Sequence, residues 1–353
     1  MKPLVSILIP AYNAEQWAAE TLTSALAQTW RPLEIIVVND GSTDGTMNVL
    51  RCFEAAGVRV ICQRNQGAAA ARNRAFAESR GDYVQWLDAD DLLAPEKIAR
   101  QMAVLETDGR DKGLLVSGAW GKFLHRTNRA RFVPSGLWAD LSPLEWLTRQ
   151  MELDVYMQTA TWLVSRELAD AAGPWDTRLL GDDDGEYFCR VLMASTGVRF
   201  IPESKVYYRS TGSTSLSYIG RSDRRMEAQW LSMQLHIGYI RSLEDSPRVR
   251  AACCRYLQNW LIYFYPERMD LVRQAAAAAT ELGGSLRTPR FSWKYSWIAA
   301  TFGWRAANCA RTLLPSIRWS LQKSLDKAFQ RLETGSGWHG RGTGCVDTQR
   351  SKL

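Results

Sequence analysis

Three carboxylates fall within four positions in Leu87-Asp-Ala-Asp-Asp91: Asp88, Asp90 and Asp91. Unscreened, such a run repels itself and raises the pKa of each member. A hard divalent cation with a preference for oxygen, Mg²⁺ or Mn²⁺, relieves that conflict and bridges carboxylates to substrate phosphates. A second acidic run, Gly181-Asp-Asp-Asp-Gly-Glu-Tyr-Phe-Cys-Arg190, carries Asp182, Asp183, Asp184 and Glu186. Asp40 closes a β-branched segment, and Arg72 sits in the alanine-rich stretch Gly67–Asn73. Each feature also has a plainer reading: a solvated acidic turn, an exposed acidic loop, a helix cap and a packing helix with an arginine at its rim. Neither a Walker loop nor a Gly-x-Gly-x-x-Gly fingerprint occurs. The seven cysteines form no Cys-x-x-Cys pair, and His125, His236 and His339 are isolated, so no Cys/His metal site is expected.

The elements that must position these groups are legible in the hydrophobic pattern. Val5–Pro10, Leu33–Asn39, Val58–Cys62 and Tyr83–Leu87 read as strands, the second buried on both faces. Ala14–Gln28 and Gly67–Ser79 have helical spacing, a helix follows the Asp40–Asp44 turn with Thr43 or Asp44 as its cap, and Pro95 opens another. This alternation predicts an α/β fold, a mostly parallel sheet with helices on both faces. Ligands of such sheets bind beyond the carboxyl ends of the strands. Tyr12, Asp40 and Asp88–Asp91 each lie just past such an end and should converge on one edge.

Taken together, Val5-Ser-Ile-Leu-Ile-Pro-Ala-Tyr-Asn13, Val37-Val-Asn-Asp-Gly-Ser-Thr-Asp44, Gly67–Asn73 and Leu87–Asp91 resemble the motifs of family-2 glycosyltransferases of GT-A fold. They occur in that family's order and spacing, and the resemblance covers roughly residues 4–215. It implies inverting transfer of a sugar from a nucleotide-sugar donor, a UDP-sugar above all, to a saccharide or lipid-linked saccharide acceptor. Asp40 would accept the imide N–H of a uracil ring, with Tyr12 and Pro10 near the base. Asp90 would be the metal ligand, with Asp88 facing the ribose or the metal. Asp91 is left as either a ligand or the cap of the helix near Pro95. Arg72 would meet the donor pyrophosphate or an active-site carboxylate. Within the acidic run the resemblance puts Asp184 in the general base position. Asp183 stands where a glutamate is usual, and the extra Asp182 leaves a one-residue slip open. Tyr207–Ser215 resembles a Tyr-Arg-x-His segment but has Thr211 in place of the histidine, which moves the expected diphosphate grip toward Arg209 and nearby hydroxyls. The alternatives are a nucleotidyltransferase, which would need a different phosphate loop than Pro10–Asn13 offers, and a catalytically silent sugar-nucleotide-binding scaffold, which the retained carboxylates argue against.

Of the 353 residues 46% are hydrophobic and 23% charged, an ordinary globular balance. The formal charge of +7 is unevenly placed: from Leu286 to Leu353 there are twelve Lys/Arg against three Asp/Glu. A nucleic-acid-binding main domain is therefore not expected. Residues 1–215 form the expected catalytic domain, 216–333 a helical extension with helices over Arg221–Ile240, Arg248–Phe264 and Asp270–Leu282, and 334–353 a polar, disordered tail. Trp120, Trp138, Trp146, Trp162 and Trp175 read more readily as core than as sugar platforms. Trp293, Trp297 and Trp304 share one helical side with Lys294 and Arg305 beside them, and Ile317, Leu321, Leu325, Ala328 and Leu332 make a stripe flanked by Arg318, Lys323, Lys327 and Arg331. Such a basic amphipathic segment suits an anionic membrane surface or packing on the catalytic domain. No signal peptide or membrane-spanning run is read, which gives a cytoplasmic expectation, peripheral on the inner membrane face.

Overall fold

The computed structural model describes residues 2–109, 111–211 and 222–335. In chain order the first half comprises β1 (Val5–Ala11), α1 (Ala18–Leu26), β2 (Leu33–Asp40), α2 (Thr46–Arg51), β3 (Val58–Gln63), α3 (Ala68–Ala77), β4 (Tyr83–Trp86), β5 (Leu92–Leu93), α4 (Lys97–Thr107), β6 (Leu114–Phe123) and β7 (Arg131–Phe132). Then follow α5 (Pro143–Leu153), β8 (Val164–Ser165), α6 (Arg166–Ala172), α7 (Asp183–Ala194), β9 (Gly197–Arg209), α8 (Asp223–Leu243), α9 (Pro247–Phe264), α10 (Met269–Glu281) and α11 (Trp293–Gly335).

The main sheet runs β3-β2-β1-β4-β8, its first four strands parallel and β8 antiparallel. The apolar run of β2 is buried from Ile35 through Asp40, as expected of a parallel strand covered on both faces. A second sheet, β5-β9-β6-β7, holds the long parallel pair β6 and β9. Their register jumps at Gly118, where an added Cβ would lie 2.1 Å from the Ser204 carbonyl oxygen, so only glycine lets β9 bulge there. This sheet was not expected from sequence.

One core fills each face of the main sheet. Ile7, Ile9, Leu22, Val37, Ile98 and Met102 pack on one side. On the other, Leu8, Ile36 and Trp86 pack with Trp162, Trp175 and Tyr187 and continue without a break into Met233, Leu257 and Ala275 of α8–α10. Trp146, Trp162 and Trp175 are buried, as expected, while Trp120 and Trp138 are half-buried. The long helix α11 breaks at Gly303, whose φ of 82° lies in the left-handed region. It is anchored by Trp304 against Tyr265 and Phe291, and by Asp326, which accepts hydrogen bonds from the His125 and Arg126 amides and pairs with the Arg126 guanidinium.

Several boundaries differ from the sequence reading. Residues 15–17 form a turn, so α1 starts at Ala18, and α4 starts at Lys97, two residues beyond Pro95. The N-cap of α2 is Gly45, with Asp44 accepting the Thr46 amide at 3.0 Å instead. The first extension helix starts at Asp223, and α11 continues through Thr334 and Gly335. The expectations for 212–221 and 336–353 fall outside the described residues.

Candidate active site

The carboxyl ends of β1, β2 and β4 place Tyr12, Asp40 and Asp88 on one edge, as the alternation of elements predicts. The loops there are cross-stitched: the Asn13 side-chain oxygen accepts from the Thr43 amide at 2.8 Å, and the Ala14 amide donates to Thr46 Oγ1 at 2.8 Å. Gly41 follows Asp40 with φ of 69°, and a Cβ there would lie 2.7 Å from the Asn65 amide nitrogen. The close approach of these two loops therefore requires glycine.

Asp40 is almost fully buried. Its Oδ1 accepts from Gln63 Nε2 at 2.7 Å and the Gln66 amide at 2.9 Å, and its Oδ2 from the Gly67 amide at 2.8 Å. It thus ties down the entrance to α3, not the helix that follows it in sequence. A carboxylate accepts about four hydrogen bonds, so one acceptor position remains. Tyr12 beside it is half-exposed, a flat apolar surface at the rim. Pro10 lies within β1 opposite Val38 and has only its ring to offer.

Arg72 projects from α3 into the centre of the site. Its Nη2 donates to Asp88 Oδ1 at 2.7 Å and its Nη1 to Asp183 Oδ2 at 2.6 Å, while its guanidinium lies 4.4 Å from the Trp175 ring centroid. Of the two partners expected for Arg72, a pyrophosphate or a carboxylate, the structure shows carboxylates, Asp88 and Asp183. Burial works against its charge, but Asp88 and Asp183 outweigh burial and push the pKa up. Burial also pushes Asp183 up. The direct ion pair opposes this, and the short contact holds Asp183 as the carboxylate.

The three aspartates after β4 differ sharply. Asp91 is fully buried and accepts from Gln158 Nε2 at 2.6 Å and from the Arg209 amide at 2.8 Å. It locks this loop to β9 and neither caps α4 nor faces the cleft. Asp90 is pushed up to about 6, first by burial and then by Asp88. Asp88 is half-buried, with one oxygen held by Arg72. Asp88 and Asp90 together form an oxygen-only donor pair under electrostatic stress, which fits a hard divalent cation completed by phosphate oxygens. Among the described residues no set of three or more His, Cys, Asp or Glu gathers into a metal cage.

Arg209 departs from its expected role. Its side chain is 1% exposed and sandwiched between the Trp17 and Phe123 rings at 4.3 and 4.5 Å. Nε donates to the Asp90 carbonyl at 2.8 Å and Nη2 to Glu20 Oε2 at 2.6 Å. A guanidinium committed this way braces the Asp88–Asp91 loop from behind and does not reach toward a diphosphate.

In the acidic run the carboxylates also divide their work. Asp182, with φ of 56°, turns away from the cleft and accepts from Ser232 Oγ at 2.6 Å and Gln229 Nε2 at 3.3 Å, with His236 3.9 Å away. Glu186 is buried, bound twice by Arg190 and once by the Tyr239 hydroxyl. Asp183 is paired with Arg72. Among the described residues Asp184 meets neither an arginine nor α8: Thr159 Oγ1 donates to its Oδ2 at 2.9 Å and the Gly185 amide to its Oδ1 at 3.0 Å. Burial, then Asp183 and Asp182, push it up to about 7. Thr159 and its neighbour Gln158, which no motif signalled, therefore hold Asp184 and Asp91 from one short turn. Glu20, Trp17 and the row Gln229, Ser232, His236, Tyr239 on α8 were likewise missed, and Trp175, read as core, also carries the Arg72 guanidinium. Their only sequence signal is that the α8 four recur at spacings of three and four, one helix face.

A model of glycosyl transferase family 2 matches residues 6–156. An uncharacterized glycosyltransferase of Rickettsia typhi is 41% identical over 286 residues, which is 79% of this chain and 85% of that one. The chain therefore belongs to glycosyltransferase family 2. Other relatives match over about a hundred residues. The Escherichia coli UDP-Glc:alpha-D-GlcNAc-diphosphoundecaprenol beta-1,3-glucosyltransferase WfaP is 41% identical over 108 residues, 30% of this chain and 42% of that protein. TuaG of Bacillus subtilis is 41% identical over 104 residues, 29% of this chain and 41% of that protein. Among solved structures, Staphylococcus aureus TarS 1–349 superposes with a TM-score of 0.60 at 17% identity, over 80% of this chain and 81% of that one. This likeness supports the GT-A fold.

Proposed function

We propose that this family-2 enzyme transfers a sugar, with inversion, from a UDP-sugar to a hydroxyl of a saccharide or lipid-linked saccharide precursor, on the cytoplasmic side of a membrane. The observation that carries the mechanism is the division of labour among the acidic residues. Asp183 is neutralised by Arg72 and Asp182 is spent on α8, while Asp184 keeps a raised proton affinity and a single hydroxyl partner. A carboxylate poised near neutral pH is the one fitted to take a proton. As the acceptor oxygen bonds to the anomeric carbon, its proton passes to Asp184, and the bond from that carbon to the phosphate oxygen breaks with both electrons leaving on the nucleoside diphosphate. Tyr12 and the remaining acceptor position of Asp40 support a pyrimidine base at the sheet edge. Mg²⁺ or Mn²⁺ held by Asp90 and Asp88 would offset charge on the departing diphosphate. The similarity to WfaP, a UDP-Glc-dependent glucosyltransferase acting on a lipid diphosphate, supports the same choice of donor and acceptor class.

The test is a panel of sugar nucleotides with purified protein and metal, scored for released diphosphate and for the anomeric configuration of the product. A UDP-sugar should be turned over with inversion. Chelator should abolish turnover, and Mn²⁺ or Mg²⁺ should restore it. Full turnover in excess chelator sinks the metal role, and retention at the anomeric centre sinks the role of Asp184.

A further inference from the structure

The first segment of α11, before the break at Gly303, exposes large aromatic side chains: Trp293 is 80% exposed, Trp297 59% and Phe302 67%. Trp293 and Trp297 are four residues apart and share one face. Single exposed apolar residues are ordinary, but two tryptophans on one helix face, each more than half exposed, mark a surface that meets something other than water, and Phe302 lies on the other side of the same segment. Exposed Arg287, Arg290 and Lys294 lie beside them, the Lys294 ammonium 6.0 Å from the Trp293 ring centroid. Beyond the break, Leu314 and Leu325 are also more than half exposed, with exposed Arg305 and Lys327 on the same helix. Nor is the helix a loose appendage, because Ala307 is fully buried, Trp304 packs on Tyr265 and Phe291, and Asp326 is tied to Arg126.

We propose that this face of α11 docks the protein on an anionic lipid bilayer. Tryptophan rings sit at the boundary between headgroups and acyl chains, and flanking Lys and Arg pair with anionic headgroups. The net charge of +9 from Leu286 onward supplies the complementarity. Among the described residues no helix is long and apolar enough to cross a membrane, so the contact is with the surface. The Asp326–Arg126 tie holds the docked helix in a fixed relation to the segment that follows β6, close to the residues bracing the Asp88–Asp91 loop. The surface stands independently of the donor and the reaction, since binding to lipid requires no turnover.

The experiment is co-sedimentation of the full chain with vesicles of phosphatidylcholine alone and of phosphatidylcholine mixed with phosphatidylglycerol. Binding should require phosphatidylglycerol and fall as salt is raised. Trp293→Ser with Trp297→Ser should lower vesicle affinity by at least about tenfold and leave donor affinity, measured by calorimetry, unchanged. Arg290→Glu with Lys294→Glu should weaken binding to phosphatidylglycerol in the same way. The proposal is overturned if the full chain ignores phosphatidylglycerol vesicles, or if the tryptophan pair can be removed without loss of binding. It is equally overturned if light scattering without lipid shows a dimer that the tryptophan variant converts to monomer, since the face would then belong to a second copy. Loss of sugar transfer with vesicle binding intact would refute the enzymatic reading and leave the docking surface standing.

Discussion

At the scale of single residues, the site turns on carboxylates that are neighbours in sequence and opposites in environment. Asp184→Asn keeps the shape and removes the basicity. It should lower kcat by about 10²- to 10⁴-fold with donor affinity nearly unchanged, whereas Asp183→Asn breaks the pair with Arg72 and should disturb donor binding as well. Because burial raises Asp184 to about 7, the active carboxylate form is lost as pH falls, so kcat/KM should rise with pH through about 7. Thr159 favours the charged form through its hydrogen bond. Thr159→Val should therefore move that acid limb to higher pH and recover turnover in alkaline buffer, which a merely destabilised protein would not do. An unshifted pH profile would remove Thr159 from this role. For Asp40→Ala, two losses are expected: weaker nucleoside diphosphate binding and a fold less stable by about 1–3 kcal/mol, because Gln63 and the Gln66 and Gly67 amides lose their acceptor. Denaturant melts beside calorimetry separate the two, and unchanged nucleotide affinity would remove Asp40 from the base pocket. What the motifs made legible here was which residues gather. The partner each one takes was not legible, because Arg209 and Asp91 owe their burial to Trp17, Phe123 and Gln158, which are distant in sequence and carry no motif.

At the scale of elements, the parallel strands announced themselves through continuous apolar runs, and the placement of Tyr12, Asp40 and Asp88 followed from strand polarity alone. β6 and β9 did not announce themselves. Lys122, Lys205 and the Gly118 bulge interrupt their apolar pattern, and their pairing joins residues about 80 apart, beyond the reach of local periodicity. The tryptophans between the two acidic runs were legible as core, and Trp86, Trp175 and Tyr187 show why. Edge-on and stacked contacts at 4.1 to 5.8 Å build the wall on which Arg72 rests. The helix that matters most for the acidic run is α8. Ser232→Ala with Gln229→Ala frees Asp182, and the turn entering α7 should then lose its register. The expected result is a fall in kcat of about tenfold or more at nearly constant donor affinity, with Ser232→Thr restoring most of it, since positioning errors of this kind carry costs up to about 10²-fold. If the double variant keeps full kcat, α8 is packing only.

At the scale of the whole molecule, the sequence divides near residue 215, where strands give way to helices, but the packing does not. One hydrophobic core passes from the main sheet into α8–α10, and the polar row on α8 grips both ends of the acidic turn. A chain ended before α8 loses Trp230 and Met233 and should expose the core residues around Trp86 and Tyr187 that α8 covers. It should therefore lose its cooperative unfolding transition in urea and its near-ultraviolet aromatic signal, and a sharp two-state melt from such a chain would contradict this. The contact between α8 and Asp182 also bears on how this protein could exchange parts with its kin. WfaP and TuaG align with under a third of the chain's length. A chimera joining the donor-side half of one member to the acceptor-side half of another would inherit intact motifs on both sides of the seam. If the seam fell between Asp182 and Ser232 it would still lack that matched pair, so grafts should succeed only when the acidic turn travels together with the helix that holds it.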